Sequence, residues 1–257
     1  MAEIPTCTPK TLPEERAKAA AVHAVHVNPV NAPAPALAGV TITPQHIALL
    51  TSKYWGATGK RFPVYFMEPV DITTRGKIMK HLNAWYVQGS NTRFVISKDP
   101  SSLVRITREG DGYWSYLGTD VGLIPVDEPT MCLQGFTSTT PDREYTRVVR
   151  HEAGHTLGFP HEHMRKAMVA RIDPDKAYVY FGQTQGWDKQ TVDDQVLTPL
   201  SEASVMGTPP QDTSIMCYQI PGSITYSGRP IPGGTDITEN DAAFASQVYP
   251  RTVIRRA

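Results

Sequence analysis

Cysteine, net charge and unbroken apolar sequence are all scarce in this chain of 257 residues, and each scarcity closes off a class of protein. Cys7, Cys132 and Cys217 are an odd set, too few for a disulfide framework and not spaced as a CxxC pair, so the fold must rest on a packed core. Cys132 and Cys217 are expected as buried or half-buried free thiols. The 25 Lys and Arg residues cancel the 25 Asp and Glu residues, so no partner is drawn by bulk charge and no nucleic acid is expected. The most apolar N-terminal run, residues 17–27, is broken by Lys18, His23 and His26, and no stretch reaches the roughly 18 apolar residues of a membrane span. Met1-Ala2-Glu3-Ile4-Pro5 has neither the basic nor the apolar region of a secretory signal. What is present in quantity is ordinary core material, 40% hydrophobic residues over a length that fits one large domain or two small ones.

Residues 1–45 differ in composition from the rest. Pro5, Pro9 and Pro13 precede an Ala-rich stretch with helical character (14–27), and residues 28–38 are rich in Pro and Ala, which favours extended backbone because proline fixes φ and pushes its predecessor out of the helical region. Too short to bury a core of its own, this segment is expected to be an arm, a pro-segment or docking element over one principal domain, residues 46–257. Within that domain, residues 62–66, 93–96, 103–107 and 113–117 read as strands. Residues 74–87 read as a helix with Ile78, Leu82 and Trp85 on one face. The order suggests α+β or α/β, and no solenoid repeat is visible.

A second helix has clear ends. Thr140 is placed to cap it, Pro141 suits its first position, and Gly158 is the expected left-handed residue after its end, so the helix is expected over 141–157 with Tyr145, Val148 and Val149 buried. Its last turns carry His151-Glu152-Ala153-Gly154-His155, followed by Gly158 and His161. Histidines at i and i+4 stack on one helix face and can reach one ion at about 2.0–2.1 Å. A sharp turn at Gly158 can return His161 as a third ligand, leaving a position open as catalytic zinc sites do. Glu152 then stands beside the ion, where a carboxylate can take a proton from water at the metal and pass it to a leaving amine. The competing reading, surface histidines at a helix end, is weakened because four of the eight histidines (151, 155, 161 and 163) fall within thirteen residues. His163 is expected beside the site or at the surface, not as a ligand.

The pattern H-E-x-x-H-x-x-G-x-x-H is that of the metzincin zinc endopeptidases. Gly158-Phe159-Pro160-His161-Glu162-His163-Met164-Arg165 resembles the astacin family's G-F-x-H-E-x-x-R, and Ser214-Ile215-Met216-Cys217-Tyr218 resembles its Met-turn. The resemblance implies an α+β fold: an upper subdomain of twisted mixed sheet with two long helices (about 46–158) and a smaller lower one (about 159–257) ending in a helix within 236–249. The substrate cleft would lie between them, with the peptide extended along an edge strand within 130–134 or the preceding loop. It implies one zinc ion on His151, His155 and His161, Glu152 as general base and acid, Met216 as the floor beneath the metal, and Tyr218 as a switchable ligand and oxyanion donor. Glu162 takes the place of the acid that pairs with the new N-terminus of mature astacins, although Met1 lies about fifty residues ahead of the resembling region. Cys217 replaces a usual histidine and the family's disulfide cysteines are missing. Resemblance favours secretion, whereas the few cysteines suit a cytoplasmic location as well.

The leading reading is a monomeric zinc endopeptidase acting on proteins or peptides bound extended in the cleft. The alternatives are a catalytically silent zinc-bearing peptide-binding module, against which Glu152 speaks, and a structural zinc protein, disfavoured by three ligands without a thiolate. Cys7 could occupy the open zinc position as a latency ligand; the other reading is an exposed thiol on a disordered tail.

Overall fold

In the computed structural model the described residues are Cys7, Lys10, 12–32, 51–200 and 209–251. The Pro/Ala stretch beyond residue 32 and the arm boundary at 45 fall outside them. Strand β1 (Lys60–Phe66) buries Phe62 and Val64 and lies between β2 (Thr92–Ile96) and β3 (Val104–Thr107), parallel to both. Next to β3 comes β5 (Met131–Leu133), parallel to it, and then β4 (Tyr113–Ser115), antiparallel to β5. The order β2-β1-β3-β5-β4 makes this a mixed, five-stranded α+β sheet. All of β3 is buried, and its polar positions are satisfied internally: the Arg105 guanidinium donates to the carbonyls of Glu128 at 2.7 Å, Ser102 at 2.9 Å and Pro125 at 2.8 Å.

That order corrects one expectation. Residues 130–134 do not form an edge, because β5 pairs on both sides; the terminal strand beside the site is β4. Two short strands of similar composition cannot be ranked as edge or interior without knowing which hairpin inserts between its neighbours.

Helix α2 (Ile72–Leu82) begins earlier than expected because the Asp71 carboxylate accepts from Thr74 N at 2.9 Å. It breaks at Asn83 into the single turn Ala84–Val87, yet Ile78, Leu82 and Trp85 all enter the core as their spacing implies. The second helix is interrupted as well. A turn Asp142–Glu144 leads through a π segment, Tyr145–Val149, into α3 (Arg150–Thr156). Pro141, not Thr140, occupies the cap position, since the Thr140 hydroxyl accepts from Thr137 N at 3.0 Å instead.

The buried apolar residues form two clusters. The first lies between the sheet, α2 and α3, with Trp85, Tyr145 and Leu157 fully buried, and α5 (Glu239–Val248) closes it through Ala245 and Val248. The second contains Met168, Ile172, Val192 and Ile231, with Phe181 of α4 (Pro174–Gln185). The arm contributes to both regions. Helix α1 (Ala17–Val27) packs Ala20, Ala21 and Ala24 towards the 3-10 segment Gly118–Leu123, while Cys7 joins the second cluster. Residues Pro29–Asn31 make a 3-10 turn where extended chain was expected, because the Asn28 side chain accepts from Val30 N and the buried Asn31 amide bridges Ala24 O at 2.9 Å and Tyr54 O at 2.8 Å.

Candidate active site

The π segment widens the turn just before α3, burying Tyr145, Val148 and Val149 while Arg147 reaches the cleft. One turn on, His151 and His155 project side by side, 4.7 Å between ring centroids. Gly158 has φ +95°, and the chain reverses there to bring back His161. A second constraint holds that glycine: a Cβ would stand 2.8 Å from the carbonyl oxygen of Lys53.

The three imidazoles meet through their Nε2 atoms, with His161 at 3.1 Å from both His151 and His155. The outer nitrogens of His151 and His155 are fixed for this, while His161 Nδ1 has no partner among the described residues. His151 Nδ1–H donates to Ile215 O at 2.6 Å and His155 Nδ1–H to Phe159 O at 2.8 Å, which leaves each Nε2 as a lone pair aimed inward. A protonated His161 Nε2 could serve only one of those lone pairs at a time. An ion at about 2.0–2.1 Å from all three satisfies the set, so the residues fit zinc. Burial holds His151 down at about 4 and keeps His155 and His161 well below the ordinary histidine range, so all three are neutral, as ligands must be.

Glu152 is 1% exposed, and neither carboxylate oxygen makes a hydrogen bond of ordinary geometry among the described residues. Burial raises it to about 8, opposed by the neighbouring Cys7 thiol and by Arg147. Of the two readings of Cys7, the exposed thiol does not hold: the thiol is buried, and its sulfur and one nitrogen from each of His151, His155 and His161 all lie within 4.8 Å of one another. Burial, and then the Glu152 carboxylate, hold that thiol well above its usual range. Cys132 and Cys217 are free and buried, as expected.

Below the imidazoles, residues 214–218 are fastened to α5. Asp241 accepts from Ser214 Oγ at 2.6 Å and from Ile215 N at 3.1 Å while also completing the capping box with Thr238. Met216 lies against the helix, and its sulfur would stand 2.5 Å from a Cβ on Gly154. Neither Asp241 nor Gly154 was singled out in the sequence. A glycine inside a helix, costing about 1 kcal/mol relative to alanine, was the available signal.

Tyr218 is buried, its hydroxyl has no partner among the described residues, and its ring lies 4.2 Å from that of His161. Glu162 stands behind the site, where its Oε1 accepts from Gln211 N at 3.1 Å and lies 3.6 Å from Arg165. His163, expected as a neighbour or surface residue, is fully buried. A cleft of about 580 Å³ opens in front of Glu152 and Tyr218, walled by Arg147, by Phe181 and Thr184 of α4, and by residues 232–235. Cys7 and Tyr113 also line it, and Cys7 and Lys10 are bridged in parallel to Tyr113 and Tyr116 along the β4 side.

The family model described as Astacin, a peptidase family, matches residues 50–225. Two solved structures of myroilysin are similar. One aligns at 29% identity with a TM-score of 0.73, covering 78% of this chain and 97% of its own; the other aligns at 29% and 0.59, covering 78% and 87%. High choriolytic enzyme 1, a hatching-enzyme zinc protease from the medaka fish Oryzias latipes, aligns at 18% and 0.49 over 72% of this chain and 87% of its own. No curated protein sequence matches significantly. Since the family model spans more than half of the sequence and the fold of its first-named neighbour runs through nearly all of that neighbour's length, the chain belongs to the astacin family and is a zinc metalloendopeptidase.

Proposed function

We propose that the protein hydrolyses peptide bonds in proteins through one zinc ion held by His151, His155 and His161, with Glu152 as the proton carrier. The observation that carries this reading is the convergence of three Nε2 atoms, two of them with lone pairs fixed inward, beside a buried carboxylate on the helix that bears His151 and His155. Zinc bound there supplies an electrophile for the scissile carbonyl and for the attacking water. Glu152 takes the proton from that water and delivers it to the leaving amine; burial has raised its affinity for a proton towards neutral pH, where a shuttle must both accept and donate. Tyr218 donates its hydroxyl to the oxygen that becomes negative, and Met216 supports the imidazoles from below. A silent peptide-binding module would have no use for a desolvated carboxylate at that point.

The chain divides, in this reading, into the arm (1–45), an upper part (about 46–158) and a lower part (about 159–257), although Phe159, Ile215, Met216, Ala245 and Tyr249 of the lower part pack into the first apolar cluster. The arm is a latency segment. Cys7 supplies a thiolate as fourth ligand, which closes the position a substrate needs, and Cys7 and Lys10 bridge to Tyr113 and Tyr116 on the β4 side, along which a peptide would pair.

Casein turnover tests both statements. The Cys7→Ser chain, loaded with zinc, is expected to cleave faster than wild type, and deletion of residues 1–45 faster still. Glu152→Ala in the Cys7→Ser chain should fall by at least about 10³-fold. Equal turnover with and without Glu152 would end the proton-carrier assignment, and a stable, zinc-loaded truncated chain no faster than wild type would end the latency assignment.

A further inference from the structure

We propose that His163 is a positioning residue for Tyr218, holding both the backbone and the ring of that tyrosine so that its hydroxyl meets the developing oxyanion. The inference rests on the reading of Tyr218 as oxyanion donor. His163 lies two residues past His161 on the 3-10 turn Glu162–Met164 and is completely buried. A carbonyl can only accept, so the 2.9 Å contact to Gln195 O puts the proton on His163 Nε2. Nδ1 is then an acceptor, and it faces Tyr218 N at 3.4 Å. The two rings are stacked at 4.1 Å between centroids and 16° between planes, and the His161 ring lies 4.9 Å from that of His163.

The metal ligand and the residue that positions the oxyanion donor therefore share one short turn. That turn is held at both ends, by Glu162 N donating to Met216 O at 2.8 Å and by Leu200 N donating to Met164 O at 2.8 Å. A catalytic group must be kept to within roughly 0.5 Å of its productive position by neighbours whose own geometry is locked. An aliphatic side chain would fill the same space, but it would neither accept the Tyr218 N–H nor offer a flat face to the ring.

The test uses the full-length Cys7→Ser chain, so that the thiolate does not compete, with His163→Gln, Tyr218→Phe and their combination. Glutamine can still donate to Gln195 O but has no ring. His163→Gln is expected to keep one equivalent of zinc and lower kcat by about tenfold with KM changed by less than about twofold. Added to Tyr218→Phe it should slow the enzyme no further, because its effect runs through the tyrosine. The same chain loaded with copper(II) gives a readout independent of turnover: the phenolate-to-copper absorption of Tyr218 should weaken or shift in His163→Gln. Should His163→Gln fail to hold metal, His163→Phe, which keeps a flat ring without the acceptor, replaces it in both measurements. Equal kcat losses with tyrosine or phenylalanine at position 218, or an unchanged copper band, would overturn the role of His163 while leaving Tyr218 in place. If Tyr218→Phe alone left kcat unchanged, the donor reading itself would fall, and this inference with it.

Discussion

The upper and lower clusters meet at the active site but are built differently. The upper one joins a sheet to α2, α3 and α5 and buries large aromatics, with Trp55, Phe62 and Phe94 packed ring to ring. The lower one has no strand of the sheet, is smaller, and includes Cys7, Cys217 and Tyr218. His151 and His155 stand on the upper helix and His161 just past its end, whereas Tyr218, His163 and Cys7 approach from the other side. The helix that bears His151 and His155 thus belongs to the larger, aromatic cluster, and the groups assigned to latency and to the oxyanion belong to the smaller one.

Removing a ligand should give the largest effect. His155→Ala takes one of three lone pairs from the ion and is expected to leave well under one equivalent of tightly held zinc and to lower activity by at least about 10³-fold. Metal analysis after dialysis checks it, and a full retained equivalent would move the metal site elsewhere.

Cutting the two clusters tests their difference directly. Trp85 is fully buried beside Gly154 and Phe159, with its Nε1–H on Arg150 O at 2.8 Å, so Trp85→Ala should cost about 3–5 kcal/mol and loosen zinc. Ile231→Ala in the lower cluster should cost about 2–3 kcal/mol and leave zinc in place. Urea unfolding with metal analysis decides; equal zinc loss in both would erase the distinction. Smaller again is Tyr218→Phe, expected to reduce kcat by about 10² (~2.7 kcal/mol) with little change in KM. If KM carried the change, Tyr218 would bind substrate instead of the transition state.

The convergence of His151, His155 and His161 was legible because its geometry is local: positions i and i+4, then a glycine at positive φ, need no knowledge of the rest of the chain. The α1 helix was legible from its Ala-rich composition, whereas α5 was anticipated only through the family resemblance. What escaped was long-range. The insertion of β5 between β3 and β4, the hold of Asp241 on residues 214–215 and the use of Asn31 to bridge Tyr54 link residues between 16 and 27 positions apart, and composition carries no trace of such pairings. The π segment was hidden because Tyr145, Val148 and Val149 have the same spacing in either helix type. Cys7 was read from chemistry alone, and its burial depends on where the arm lies.

The smallest effect concerns how the upper cluster is sealed against acid. His81 on α2 is 1% exposed; its Nδ1 accepts from Arg150 Nε at 3.2 Å, its Nε2 lies 3.8 Å from Asp142, and its face packs on Tyr145. Burial first, and then the Arg150 guanidinium, lower its proton affinity, with Lys80 adding to this and Asp142 opposing it. In the unfolded chain the same side chain titrates near 6.5. Between that value and its lower folded value the unfolded state binds more protons, so the contribution of His81 is fully present above about pH 6.5 and is lost as the pH falls through that window, by at most ~1.4 kcal/mol per pH unit. His81→Gln removes the titration and keeps a polar side chain towards Arg150. Urea unfolding at about pH 7 and about pH 5.5 should show wild type losing more stability over the interval than the variant. Since α2 packs against the π segment ahead of α3, the tie lies entirely in the upper region. An identical pH dependence in both proteins would mean that His81 does not couple the upper cluster to pH, and the contrast between the two regions would then rest on packing alone.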